Sequence, residues 1–169
     1  MANEIRVPPK GTSGDRLTGD LLMKLMRPFF RRRVASYRKA AGSQSPTFSG
    51  FPVLLLTTVG ARSGQERTHE LGGFPDGDDA WLITATKGGS ASHPGWFHNI
   101  AKNPDKVWAQ VGGRKFKADV EQLRGEQRAA AYDRIAKVAP VYAKYPKKTD
   151  REIPVLRLRP AHDQAPVNL

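Results

Sequence analysis

Pro52-Val-Leu-Leu-Leu-Thr-Thr-Val-Gly-Ala-Arg-Ser-Gly64 decides the fold. Its first eight residues are a short apolar, β-branched run, the composition of a buried strand. Its last five are turn chemistry that sends the chain back on itself. Working outward, Arg67–Phe74 is the hairpin partner, and Asp76-Gly77-Asp78-Asp79 is the next turn. Trp81–Thr86 reads as a strand ended by Lys87-Gly88-Gly89-Ser90. Pro94–Lys102 reads as a short helix with proline in its first turn. Lys106–Val111 and Arg114–Gln122 form a hairpin around Gly112-Gly113. Residues 126–138 are a helix and Ile153–Leu158 a last strand. Six short strands that do not alternate strictly with three helices exclude a doubly wound parallel sheet. The class expected is α+β: a mostly antiparallel six-stranded barrel with helices outside.

The flanks carry different signals. Residues 1–16, with Pro8-Pro9 and Gly11–Gly14, read as a flexible tail. Residues 17–41 repeat apolar positions every three or four residues (Leu21, Leu22, Leu25, Met26, Phe29, Phe30) beside Arg27, Arg31, Arg32 and Arg33. They predict an amphipathic basic helix kinked or divided at Pro28. Residues 42–50 read as a linker, 51–160 as the barrel domain and 161–169 as a second tail. An apolar stripe beside arginines fits either packing on the barrel or an anionic membrane surface.

The chain has 169 residues, with 28 Lys and Arg against 16 Asp and Glu, a formal charge of +12. That balance favours acidic partners. No helix-turn-helix spacing or aromatic-interleaved basic strand accompanies it, so nucleic acid is not the expected one. The absence of cysteine excludes disulfides, thiolate metal sites and cysteine nucleophiles. No apolar run approaches the roughly 18–20 residues of a spanning helix, and residues 1–15 lack a secretory pattern. The expected location is the cytoplasm, or the inner membrane face from the cytosol.

Four constellations hold candidate chemistry. Gly60-Ala-Arg62-Ser63-Gly64 reads as an anion cradle or an ordinary hairpin turn with a solvated arginine. Thr86-Lys87-Gly88-Gly89 brings a hydroxyl, a cation and two glycines to a strand end without the order of a P-loop. In His93-Pro-Gly-Trp96-Phe-His98-Asn99 the tryptophan reads as core, and the polar residues as ligand contacts. The histidine spacing is not that of a zinc protease, and no metal is expected. Tyr142 and Tyr145, three apart among Lys144, Lys147 and Lys148, read as packing aromatics or as phenol proton donors.

In order, Pro52–Gly64, Ala85–Gly89, His93–Asn99 with Asn103-Pro104, Tyr142-x-x-Tyr145 and Thr149–Pro154 resemble the deazaflavin-dependent nitroreductase family over about residues 50–160. The resemblance implies the split β-barrel of flavin reductases and pyridoxamine-phosphate oxidases. It also implies coenzyme F-420, an 8-hydroxy-5-deazaflavin with a phospholactyl-oligoglutamate tail, and hydride transfer from its C5 to a small-molecule quinone, nitro or activated-alkene acceptor. By the same resemblance, Arg62, Ser63, Gly64 and Arg67, with Ala85, Thr86, Lys87, Gly88 and Gly89, bind the coenzyme. Trp96 and Asn99 lie beside it, and Tyr142 and Tyr145 line the substrate pocket, Tyr142 being the favoured proton donor. Ala139 and Gly72 stand where some members carry aromatic residues, which implies an enlarged or reshaped substrate side. The competing readings are an FMN-using split-barrel oxidoreductase and a non-catalytic deazaflavin or lipid carrier. Oligomeric state is not legible.

Overall fold

The computed structural model describes residues 4–15, 20–40, 42, 45–162 and 167–168. The long expected helix is divided into α1 (Asp20–Leu25) and α2 (Arg27–Ala40). Pro28 sits at the second position of α2, where a missing N–H leaves no intrahelical bond unmade. The C-terminal half of α2 is docked. Tyr37 is 2% exposed, and its hydroxyl bonds the carbonyls of Val53 and Gln110 (both 3.2 Å) and accepts from Gly112 N–H (2.9 Å). Arg33 pairs with Glu70. α1 and the start of α2 are not docked: Leu21, Leu22, Leu25, Met26, Phe29 and Phe30 are all exposed.

The strands are β1 (Thr47–Phe48), β2 (Phe51–Val59), β3 (Glu66–Gly72), β4 (Phe74–Pro75), β5 (Trp81–Thr84), β6 (Val107–Val111), β7 (Arg114–Leu123), β8 (Val155–Pro160) and β9 (Val167–Asn168). Every pairing is antiparallel, in the order β1-β2-β6-β7-β8-β5-β4, with β3 also on β2 and β9 on β7. β7 is the corner strand: Arg114–Lys117 pair with β6, and Ala118–Leu123 with β8. The sheet therefore curls, and its two faces bury different cores. Leu54, Leu56, Ile83, Val107, Ala109, Leu156 and Leu158 fill the interior with Phe97 and Ile100 of α3 (Gly95–Lys102). Val53, Leu55 and Leu82 face outward under Tyr37 and under Tyr132 and Ile135 of α4 (Gly125–Val138). Double-sided burial is why β2 reads as a continuous apolar run.

The strand count exceeds six because three two-residue pairings, β1, β4 and β9, join the main strands. β1 falls within the expected linker. The expected strand over 67–74 is cut at Gly73, where the backbone crosses Leu54 so closely that a Cβ would lie 2.4 Å from its Cδ2. The last strand begins at Val155, two residues late. Pro154 has no N–H for a ladder, and its carbonyl accepts from Ala85 N–H at 3.0 Å.

The largest correction concerns the N-terminus. Residues 4–15 are not a free tail but a strap across the barrel. Ile5 is buried in the interior core. Arg6 and Gln122 exchange two bonds, backbone N–H to Oε1 at 2.8 Å and Nε2–H to carbonyl at 2.9 Å. Gly11 N–H donates to the Ala91 carbonyl at 2.9 Å.

A second correction concerns the space at Gly72. A Cβ there would lie 2.2 Å from the Tyr142 hydroxyl and 3.1 Å from Phe74. The missing side chain is thus filled by Tyr142, not opened to a substrate. Gly72→Ala is expected to destabilise the fold by about 1–3 kcal/mol through overpacking. Adding Tyr142→Phe should restore most of that loss in thermal melts, because it deletes the clashing oxygen. An equally unstable double variant would refute this account.

Candidate active site

One glycine turn is fixed to α3 and a second precedes it in the chain. Pro94, extended at φ −66° and ψ 149°, precedes its first turn, and Trp96, Phe97 and Ile100 bury one face in the barrel. The helix then holds the turn after β2 with two asparagines. Ala61 N–H donates to Asn99 Oδ1 (2.9 Å), and Asn99 Nδ2–H donates to Thr58 Oγ1 (3.1 Å). Asn103 Nδ2–H reaches the Val59 carbonyl (3.2 Å). Within the turn, Gly64 N–H closes on Gly60 O at 2.9 Å, and Ser63 Oγ accepts from Gln65 N–H at 3.3 Å. Arg62, Gly64 and Arg67 are left exposed around it.

The second turn leads into the N-terminal end of α3. Lys87, Gly88 and Gly89 are three successive left-handed residues, at φ 44°, 64° and 85°. That conformation is unremarkable for the glycines and strained for Lys87. Lys87 Nζ donates to Ser92 Oγ at 2.8 Å. The strain is sustained from beneath by Arg151, 6% exposed, which binds the whole loop. Its Nη2 donates to the carbonyls of Ala85 (3.0 Å) and Thr86 (2.9 Å), and its Nε to that of Ser90 (2.8 Å). Its Nη1 donates to Glu152 O and to His93 Nδ1, both at 3.2 Å. His93 therefore carries its proton on Nε2, which donates to the Pro8 carbonyl of the strap at 2.9 Å. Burial, and then the nearby guanidinium, hold its pKa below the ordinary value, so the neutral ring is the resting form.

These contacts sort the expected coenzyme residues. Arg62, Gly64 and Arg67 lie at one turn and Thr86, Lys87 and Gly88 at the other, exposed or half-buried. Ser63 closes its own turn. Gly89 is buried against Lys148, whose Cβ would lie 2.7 Å from a Cβ at that position. Ala85 is fully buried, its N–H and carbonyl both in protein hydrogen bonds, so it is core. Trp96, 6% exposed, packs in the interior core, and Asn99, 9% exposed, has both ends of its amide committed to positioning the Arg62 turn.

The tyrosines separate likewise. Both belong to a 3-10 segment, Pro140–Lys147. Tyr142 is buried in the outer core with Phe51 and Phe74, and burial pushes its phenol pKa up. Tyr145 is half-buried, stacked edge-on against Tyr142 at 5.4 Å, with its carbonyl 3.3 Å from the position of a Gly89 Cβ. Ala139, 2% exposed, lies in the outer core. Sequence assigns no site role to Arg151 or Lys148, and reads the strap only as a flexible tail. Arg151 stands in the recognised Thr149–Pro154 run, and its one signal is a charge placed just before the apolar Ile153–Leu156.

Known proteins resemble this chain in sequence and in fold. The profile of the F420H2-dependent quinone reductase family matches residues 29–160. An F420H2-dependent quinone reductase of Mycobacterium tuberculosis is 38% identical over 130 residues, covering 73% of this chain and 85% of that protein. A solved F420-H2-dependent reductase superposes with a TM-score of 0.58 at 35% identity, covering 64% of this chain and 94% of that one. Another solved structure, described as a domain-swapped dimer, gives 0.60 at 29% identity over 81% and 98% of the two chains.

Proposed function

We propose a quinone as the electron acceptor of this chain, which belongs to the F420H2-dependent quinone reductase family. It is an oxidoreductase with the split β-barrel fold and with coenzyme F-420 as its cofactor. What supports a coenzyme site near α3 is one observation: two cation-bearing glycine turns are each held from beneath by buried or half-buried polar side chains, the first to α3 by Asn99 and Asn103, and the second, which precedes α3 in the chain, by Arg151. The donor set suits a polyanion. Thr86, Lys87 and Gly88 are the residues to hold the phosphate and ring edge, and Arg62, Gly64 and Arg67 the acidic tail. When bound, the reduced coenzyme supplies a hydride at C5. The chain holds the two partners together and places a proton donor, for which Tyr145 is better situated than Tyr142. Nitro compounds and activated alkenes are further acceptors for the same screen.

Lys87→Ala is expected to weaken F-420 binding by about 1–3 kcal/mol, the range for a charge-assisted hydrogen bond. Fluorescence titration measures it, followed by oxidation of the bound reduced coenzyme by a soluble quinone. Unchanged affinity removes the turn from the site, and no oxidation by any quinone overturns the acceptor.

We also propose that α1 and the first half of α2 lie on an anionic membrane, where a lipophilic quinone dissolves. Supporting this are the exposed Leu21, Leu25 (both at least 70% exposed), Phe29 and Phe30, with Arg27, Arg31 and Arg32 exposed beside them. Each basic residue near such a surface contributes about 1 kcal/mol. Among the described residues no helix is long and apolar enough to cross a membrane. The full chain should sediment with phosphatidylserine-containing liposomes at low salt, and Leu25→Ser with Phe29→Ser should not. Equal sedimentation of both, or of neither, ends this proposal.

A further inference from the structure

The outer half of the strap, Lys10–Asp15, packs on Ser90–Ala91 and with Ser90–Ser92 lines a hollow of about 450 Å³ beside the Lys87 turn. Besides the Gly11–Ala91 bond, two groups of contacts fasten it. At the first, the Asp150 carboxylate accepts from Thr12 N–H (3.2 Å), Ser13 N–H (3.0 Å) and the Thr12 hydroxyl. The Thr149 hydroxyl donates to the Ser13 carbonyl at 2.8 Å. At the second, Asp15 N–H donates to Gly89 O (2.9 Å) and Lys148 Nζ donates to the Asp15 carboxylate (2.8 Å). The Lys148 stem lies directly on Gly89. A cation is thus built against the turn assigned above to the coenzyme's phosphate, and the carboxylate that answers it comes from the chain's own strap.

We propose that Lys148 is a binding residue for the acidic tail of the coenzyme, and that Asp15 stands in for a tail carboxylate until the tail displaces it. The proposal rests on the reading of the Lys87 turn as the phosphate site. The chemistry of the exchange is symmetrical: one carboxylate replaces another on the same ammonium, and no charge is left buried and unpaired. Two anions beside one cation repel, so an arriving glutamate and Asp15 do not share it. The pair lies near solvent, with side chains 45% and 17% exposed, in the range where an ion pair is weak enough to exchange. The first fastening bonds neither Gly89 nor Lys148, so the exchange at Lys148 does not require Thr12 and Ser13 to leave Asp150. Affinity set in this way depends on the tail, and favours the complete coenzyme over a deazaflavin that lacks phosphate and glutamates.

The test compares the full chain with Asp15→Asn by titration at low salt, using F-420 and, separately, the tail-less deazaflavin riboside. Asp15→Asn is expected to bind F-420 about two- to fivefold tighter, the effect of an exposed charge pair, and the tail-less compound unchanged. Adding Lys148→Ala should abolish that gain. In the unmutated chain, hydrogen exchange at the Asp15 amide should quicken on F-420 addition while the Ser13 amide stays protected, a readout that holds even if a variant folds poorly. Unchanged or weaker F-420 binding by Asp15→Asn, or slower exchange at the Asp15 amide, overturns the proposal. Failure of the underlying site is separate: it shows as full F-420 affinity in Lys87→Ala, whatever Asp15 does.

Discussion

Arg151→Ala should melt about 6–12 °C below the unsubstituted chain and lose coenzyme affinity as well. The guanidinium is buried, and its partners are four backbone carbonyls and one imidazole nitrogen. Burial pushes its pKa down, yet an arginine so placed stays charged, stabilised by the carbonyl dipoles around it. Alanine leaves those acceptors unpaired in the interior, at roughly 1–3 kcal/mol for each one that water does not reach. A net loss of about 3 kcal/mol, at about 2–4 °C per kcal/mol for a domain of this size, gives the shift. Lysine should recover little of it, because one ammonium cannot reach acceptors spread from Ala85 to Glu152. A merely structural arginine would change stability alone. A positioning arginine also raises the F-420 dissociation constant at temperatures where the variant is folded, since the left-handed Lys87–Gly89 turn depends on it. A melting point within 2 °C of the parent, or unaltered affinity, would count against this role.

What was legible in the sequence follows the range of the interactions. β2 was readable because burial on both faces needs an unbroken apolar run. The β6–β7 hairpin was readable because Gly112, at φ 58°, must stand where the turn is left-handed. The strap was misread because prolines and glycines report the absence of local structure and say nothing of distant partners. Its anchors, Gln122, His93 and Asp150, lie 85 or more residues away and have no periodicity to betray them. The positioning role of Asn99 is illegible for a related reason. A polar residue on a short helix looks like a ligand contact until the Ala61 N–H is seen to need its oxygen. The glycine at 72 suggested open space, and only the packed structure reveals the tyrosine oxygen that fills it.

Tyr145→Phe should lower quinone-reduction turnover about 10²–10⁴-fold, the usual loss when a general acid is removed, with F-420 affinity retained. The argument is comparative. Tyr142 points its hydroxyl at Gly72 from inside a cluster with Phe51 and Phe74, where no acceptor reaches it without unpacking the outer core. Tyr145 packs on the edge of that cluster, half-buried, and its backbone lies beside Gly89 of the coenzyme turn. Burial raises its pKa above the ordinary value of 10, with Lys148 opposing in part. A raised pKa keeps the phenol protonated to higher pH, so turnover should not decline as pH rises toward 10. Removing only the hydroxyl leaves the ring contact with Tyr142 intact, so the loss reads chemistry rather than packing. Tyr142→Phe should leave turnover largely intact. The reverse pattern, with Tyr142→Phe impaired and Tyr145→Phe unimpaired, returns the proton to Tyr142. Full turnover in both variants assigns it to solvent.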